Sequence, residues 1–238
     1  MANIISYCME AVADYLSPKL CVNCGTAIKL QSKSKFLCTT CFDWLKNCGN
    51  GYYNINGTHS LYPLNDVVRS LMHGLKYHGM TDIAIEMINV LPWEDTSFMG
   101  WGNKINIVPV PVNSARLRER GYNQAECIAR AMQKKWGGRL FLGVLKRKKY
   151  NVSQTRLGAE ERAWNAAGAF TARPPLPAEI LLVDDVYTTG ATTEACRYAL
   201  MRAGAEKVEV LTMAYKLTDD GSSDWRKDWD YFKNKKVP

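Results

Sequence analysis

The residue types with the most chemistry to offer fall together in one stretch. Residues 179–192 read Glu-Ile-Leu-Leu-Val-Asp-Asp-Val-Tyr-Thr-Thr-Gly-Ala-Thr. Ile180 to Val183 is a short apolar run suited to a buried parallel strand. Two adjacent carboxylates, Asp184 and Asp185, stand at its end. A small, hydroxyl-rich turn follows, Thr188-Thr189-Gly190-Ala191-Thr192, opening a helix expected from about Thr193. The free N–H groups and positive dipole end of a helix N-terminus make it a phosphate site. Gly190 lets the backbone approach the anion, and Thr188, Thr189 and Thr192 add hydroxyl donors. The carboxylates just before the loop accept hydrogen bonds from sugar hydroxyls. A phosphate cradle beside two such acceptors describes a ribose 5-phosphate site. A strand–turn–helix whose acids merely cap the helix is the bland alternative, and it does not account for so long a pattern.

A second constellation lies near the front. Cys21-Val-Asn-Cys24 and Cys38-Thr-Thr-Cys41 form C-x2-C-x13-C-x2-C. Two thiolates separated by two residues grip one metal from a tight turn, and two such turns give tetrahedral sulfur coordination. Structural Zn²⁺ is the expected occupant, and disulfides are the weaker reading in a reducing compartment. With all four ligands spent, no open coordination position remains for catalysis. Cys48-Gly49 looks like half of another knuckle, but Leu45 stands at the would-be partner position, which argues against a second zinc. Cys8, Cys127 and Cys196 fall at apolar positions of helical patterns and read as core residues.

The elements that must hold these residues follow from length and periodicity. A chain of 238 residues, 47% apolar, suffices for one large domain or a medium domain with a small appendage. No apolar run approaches the ~18 residues of a membrane span, and the first residues lack the basic and apolar regions of a signal peptide. A cytoplasmic protein is the expectation. The formal charge of +8 suits polyanionic partners, with basic clusters at Arg116–Arg120, Lys146–Lys149 and Lys233–Lys236 that solvated faces would explain equally well.

Ile5, Cys8, Met9, Val12 and Leu16 fall at helical spacing, ended by Ser17-Pro18. The Gly/Asn/Tyr-rich segment from Gly49 to Gly57 reads as a boundary. The expected division is an N-terminal helix and zinc module over 1–57, a main domain over 58–216, and a charged, aromatic extension over 217–238. Asp66 is read as capping one helix and Thr81 a second that runs to about Val90. Ile105–Pro111 and Phe141–Leu145 read as strands and Gln124–Met132 as a helix. Strand 180–184, helix 193–203 and strand 207–214 close a βαβ unit. Alternating strands and helices imply an α/β fold with a parallel sheet and ligands at the C-terminal ends of its strands.

Residues 179–192 resemble the motif with which type I phosphoribosyltransferases bind 5-phosphoribosyl-1-pyrophosphate (PRPP): four apolar residues, two acids, two freer positions and a Thr/Gly-rich loop. Three further blocks narrow the likeness. They are Gly-Leu-Lys-Tyr-His-Gly at 74–79, Ile-Val-Pro-Val-Pro-Val-Asn-Ser-Ala-Arg-Leu-Arg-Glu-Arg-Gly-Tyr-Asn-Gln at 107–124, and Gln-Thr-Arg-Leu-Gly-Ala-Glu-Glu-Arg-Ala-Trp-Asn-Ala-Ala-Gly-Ala-Phe at 154–170. With the cysteine knuckles in front, this order resembles the ComF family of competence-associated proteins, from Cys21 to Tyr215.

The resemblance implies a type I phosphoribosyltransferase-like sheet flanked by helices, behind a zinc-ribbon module. It implies PRPP bound with Mg²⁺, and Asp184 and Asp185 as the catalytic acids that orient the ribose. Thr188, Thr189, Gly190, Ala191 and Thr192 would hold the 5-phosphate. Pro109 and Val110 would deliver the pyrophosphate-side loop, with Arg116, Arg118, Arg120 and Lys76 as its cations. Gln154, Arg156, Arg162 and Asn165 stand where the family has a flexible hood.

Three readings stay open at this point. One is a phosphoribosyltransferase with an unidentified acceptor. Another is a catalytically silent PRPP-, nucleotide- or single-stranded-DNA-binding protein working with competence DNA-handling proteins. The third is a scaffold that has lost its ligand, which the intact acidic pair and Thr loop oppose.

Overall fold

A computed structural model describes residues 18–29, 31–49, 51–55, 57–101, 105–148 and 169–216. The expected N-terminal helix, the residues expected to form the hood (154, 156, 162 and 165) and the extension from 217 onward lie outside these residues. Helix α1 spans Thr39–Cys48 and is followed by strands β1 (Tyr53–Ile55) and β2 (Thr58–Pro63). Helices α2 (Asp66–Tyr77) and α3 (Asp82–Val90) precede β3 (Asn106–Pro109), α4 (Ser114–Arg120) and α5 (Gln124–Trp136). Short strands β4 (Arg139–Leu140), β5 (Leu145–Arg147) and β6 (Phe170–Ala172) lead to the long strand β7 (Glu179–Tyr187), helix α6 (Ala191–Arg202) and strand β8 (Lys207–Tyr215).

Six strands form one sheet in the order β1-β2-β8-β7-β3-β4, and β5 pairs with β6 apart from it. The sheet is mixed rather than wholly parallel. Strands β2, β8, β7, β3 and β4 run parallel, whereas β1 pairs antiparallel with β2. This corrects the expectation of a parallel sheet. A hairpin needs only a tight turn, so an edge strand gained that way is antiparallel.

Successive buried residues of the central strands enter two different clusters in turn. Leu181 and Val183 of β7, Ile107 of β3, and Leu211 and Met213 of β8 belong to one buried cluster with α2, α3, α5 and the cysteine module. Ile180 and Leu182 of β7, Val108 of β3, and Val208 and Val210 of β8 belong to a second, covered by α6 and the β5–β6 hairpin. A strand turns successive side chains to opposite faces, so a run apolar at every position must be covered on both sides. Leu45 of α1 is fully buried in the first cluster. Burying such a leucine contributes about 1.5–3 kcal/mol. Among the described residues, no helix is long and apolar enough to cross a membrane.

Several boundaries differ from the sequence reading. The cap of α2 is Asn65, whose side chain accepts from the Val68 N–H at 3.0 Å, and Asp66 occupies the first turn. Thr81 makes no side-chain cap bond to α3. Helix α5 continues to Trp136, whose indole N–H reaches the Trp93 carbonyl at 2.9 Å. Of the strand expected over 141–145 only Leu145 is in a strand, the first residue of β5; residues 141–144 connect β4 to β5, with Gly143 at positive φ.

Candidate functional site

Helix α5, which follows β3, covers one face of the sheet, and α6, which follows β7, covers the other. The chain therefore leaves β3 and β7 in opposite directions, and a crevice opens beyond their C-terminal ends. In open α/β sheets that crevice is where ligands bind. A cleft of about 310 Å³ lies there. Asp184, Asp185 and the whole 188–192 loop line it, together with Val110, Arg116, Arg120 and Lys76.

The two carboxylates are nearly buried, at 9% and 7% exposure, although nothing apolar explains their presence. Their position on β7 accounts for part of their satisfaction. Asp184 Oδ1 accepts from the Asp185 N–H at 2.8 Å, and Asp185 Oδ1 accepts from the Val186 N–H at 2.6 Å. From α2, Lys76 reaches across so that its ammonium lies 2.8 Å from Asp185 Oδ2. That ion pair is the contact the structure gives Asp185 Oδ2, which makes no further hydrogen bond. Burial pushes the Asp184 carboxyl up to about 8, the neighbouring Asp185 adds to the rise, and the Asp185 N–H and Lys76 oppose it. Burial of like charges is costly, which makes this pair a candidate site.

Gly190 caps α6 in the left-handed region, with φ of 76°. A Cβ there would meet the Tyr187 ring at 2.9 Å, so both the conformation and the close approach require glycine. Helix α6 begins at Ala191, two residues before the expected start, and its first residues line the cleft; the first N–H groups of a helix have no intrahelical acceptors. Thr193 Oγ1 donates to the Gly190 carbonyl at 2.8 Å, which fixes the turn and leaves Thr188, Thr189 and Thr192 on the cleft wall.

The three arginines after β3 lie on a helix, not in a loop. Asn113 caps α4 by accepting from the Ala115 N–H, and Gly121 ends it at φ of 82°. Arg116 and Arg120, one turn apart, line the cleft, and Arg118, half a turn away, does not. Val110 also lines the cleft, and Pro109 ends β3 just before it. Sequence reasoning missed Tyr77, Gln124 and Arg147, which share the lining. Gln124 holds Arg120 through a 2.6 Å bond, and Arg147 comes from the β5–β6 hairpin. Tyr77 and Gln124 stood inside blocks already quoted, and Arg147 inside a basic run.

The cysteine module is a separate site. The Sγ atoms of Cys21, Cys24, Cys38 and Cys41 all lie within 4.8 Å of one another. Cys24 and Cys38 are 3.6 Å apart, and Cys24 and Cys41 are 3.8 Å apart. Tetrahedral sulfur ligands at ~2.3 Å from zinc stand ~3.8 Å apart, so the donor set fits a metal such as Zn²⁺. The first pair rides a knuckle in which the Cys21 N–H bonds the Thr26 carbonyl and Gly25 takes φ of 71°. The second pair opens α1, where the helix dipole favours thiolates. Burial pushes the Cys41 thiol up to about 12, whereas hydrogen bonds with Thr26 pull the exposed Cys24 down to about 6. A bound dication overrides that spread, because coordinated thiols are deprotonated outright. Asn23 donates to Cys41 Sγ and accepts from Ser70 of α2, tying the module to the main core. Cys48 is no ligand: it is buried at the end of α1 beside the Asn65 amide, and burial raises its thiol to about 12.

No family model matches the chain. Competence protein ComFC of Streptococcus pneumoniae is 23% identical over 192 residues, covering 80% of each chain. Competence protein F of Haemophilus influenzae is 32% identical over 112 residues, 45% of this chain and 49% of that protein. The DNA utilization protein YhgH of Salmonella typhimurium is 30% identical over 144 residues, 59% of this chain and 63% of that protein. The chain is homologous to these proteins. Among solved structures, a hypoxanthine phosphoribosyltransferase from Staphylococcus aureus overlays 60% of this chain and 76% of its own at 11% identity, with a TM-score of 0.32. That overlay is too loose to carry fold or activity.

Proposed function

We propose that the chain is a ComF-like, PRPP-binding protein of type I phosphoribosyltransferase-like fold, acting inside the cell in DNA uptake or utilisation. The observation that carries the reading is the buried Asp184–Asp185 pair, met by the Lys76 ammonium, beside a glycine-capped helix N-terminus in the same cleft. A ligand with adjacent hydroxyls and a terminal phosphate answers both features. Asp184 and Asp185 accept from the ribose hydroxyls, and the 188–192 loop donates to the 5-phosphate. Arg116, Arg120 and Lys76 face the pyrophosphate, where guanidinium forks bond two oxygens at once. Mg²⁺, bound with the pyrophosphate, would supply further neutralisation of the departing charge. Gln154, Arg156, Arg162 and Asn165 are assigned to a hood that excludes water from the reacting centre. Transfer of the phosphoribosyl group to an acceptor is the activity this arrangement suits. The zinc module, taken as residues 1–57, steadies the fold and takes no part in the chemistry.

Single-stranded DNA is the second ligand proposed, on two observations. Four cations (Lys76, Arg116, Arg120 and Arg147) line one cleft, and the relatives carry competence and DNA-utilization names. Such binding should weaken steeply with salt.

Calorimetric titration of PRPP with and without Mg²⁺ tests the primary reading, comparing the wild type with Asp184→Asn/Asp185→Asn. Magnesium-dependent binding that disappears in the double variant is the expected result. Absence of binding by folded, zinc-loaded wild type would leave the second reading in front.

A further inference from the structure

Tyr77 is the last residue of α2, immediately after the lysine that meets Asp185. One residue is 100° of helix, so Lys76 turns into the cleft while Tyr77 turns to its mouth. The ring lines the same cleft as the two acids, yet it is 54% exposed. It is also held. The Arg120 guanidinium lies 5.2 Å from the ring centroid, and Arg120 is itself fixed by its bond to Gln124. The His73 ring stands 4.8 Å away, tilted by 44°, with His78 5.1 Å beyond it.

We propose that Tyr77, backed by Arg120 at the rim of the Asp184–Asp185 cleft, is a stacking platform for a nucleobase, making the second ligand of the site a base-bearing molecule. The proposal rests on the PRPP reading of the cleft and names the class of molecule that meets it. A tyrosine fixed from one face and one side presents a flat apolar surface at little further entropic cost. A guanidinium on one face leaves the opposite face to a planar aromatic partner. Arg116 and Arg147, on the same cleft, give that partner's phosphates a place to sit, which favours a nucleotide or a strand over an uncharged ring. Tyrosine stacking tolerates any base, because every base has a π-face.

Two probes distinguish the source of the base. One is 2-aminopurine riboside 5′-monophosphate, and the other is an oligothymidylate with one internal 2-aminopurine. Each is titrated with the zinc-loaded protein, following the quenching that accompanies stacking, for wild type, Tyr77→Phe and Tyr77→Ala. Saturable quenching is expected with at least one probe. Tyr77→Phe keeps it, and Tyr77→Ala weakens it on the order of 5- to 150-fold. Saturation by the mononucleotide alone assigns a free nucleotide, and saturation by the oligonucleotide alone assigns a strand. A wild-type protein that binds PRPP by calorimetry yet quenches neither probe overturns the platform while sparing the PRPP site. Quenching without PRPP binding keeps the platform and removes the reading beneath it. A thermal midpoint lowered equally by Tyr77→Ala and Tyr77→Phe, with quenching unchanged, would show Tyr77 to be a packing residue and end the proposal.

Discussion

The cysteine module and the acidic cleft handle polar groups in opposite ways. The four sulfurs converge on one point, at separations that suit a single ion, and the neighbouring amide of Asn23 completes their surroundings. Nothing is left open, which is the mark of a site that stabilises. In the cleft, Asp184 and Asp185 are buried side by side against a single lysine, Lys76, and the residues of the α6 N-terminus line the same cleft. That arrangement is costly until a ligand completes it. One site spends its polar groups on the fold, and the other holds them ready for something else.

The largest effect should come from the closed site. Cys41→Ser removes a ligand that is also buried in the first core cluster, so the protein should lose its zinc and unfold at markedly lower temperature. Structural zinc sites contribute on the order of 10 kcal/mol of coupled binding and folding energy in small modules. Metal content and a thermal melt, repeated on wild type with a strong chelator, check this together. A chelated protein melting unchanged would place the metal outside the fold's stability and erase the contrast with the cleft.

The cleft should show the reverse relation between function and stability. Asp184 has its folded-state carboxyl raised to about 8 by burial and by Asp185, above an ordinary value of 3.8. Between those values the unfolded chain binds fewer protons than the folded one, so ligand-free stability should fall as pH rises from about 4 to about 8. Asp184→Asn removes the charge, and its melting midpoint should exceed that of the wild type increasingly toward pH 8 while PRPP binding is lost. Parallel pH profiles for the two proteins would mean that Asp184 is ionised without penalty.

The contrast also explains what the sequence alone could reveal. Both sites depend on local spacing, C-x2-C twice and strand–acid–acid–turn–helix once, and local spacing survives into structure. Strands β1 and β2 were invisible because their reasons are not local. Residues 58–63 read Thr-His-Ser-Leu-Tyr-Pro, with no clean alternation, and Ser60 is buried through a 2.6 Å hydroxyl pair with Thr212, far along the chain. Strand β1 is three residues among glycine and asparagine, chosen by its hairpin partner rather than by propensity. Helix α4 did carry signals, Asn113 before it and Gly121 after it, but its charged run reads as readily as a solvated turn. That miss changed how the arginines divide.

The smallest expected effect isolates that division. If Arg116 acts from the cleft wall, Arg116→Ala should weaken PRPP binding by about tenfold, the scale of one charge-assisted hydrogen bond. Arg118 differs by two residues and half a helical turn, carries the same charge, and faces away from the lining. Arg118→Ala should therefore change binding by no more than about twofold, since exposed charges beyond direct contact are screened at ordinary salt. Titrations of the two variants at low and moderate ionic strength give the measurement. A difference that persists as salt rises reports contact. Equal losses that fade together would report the summed field of a basic surface, and the cleft would then attract anions without gripping them.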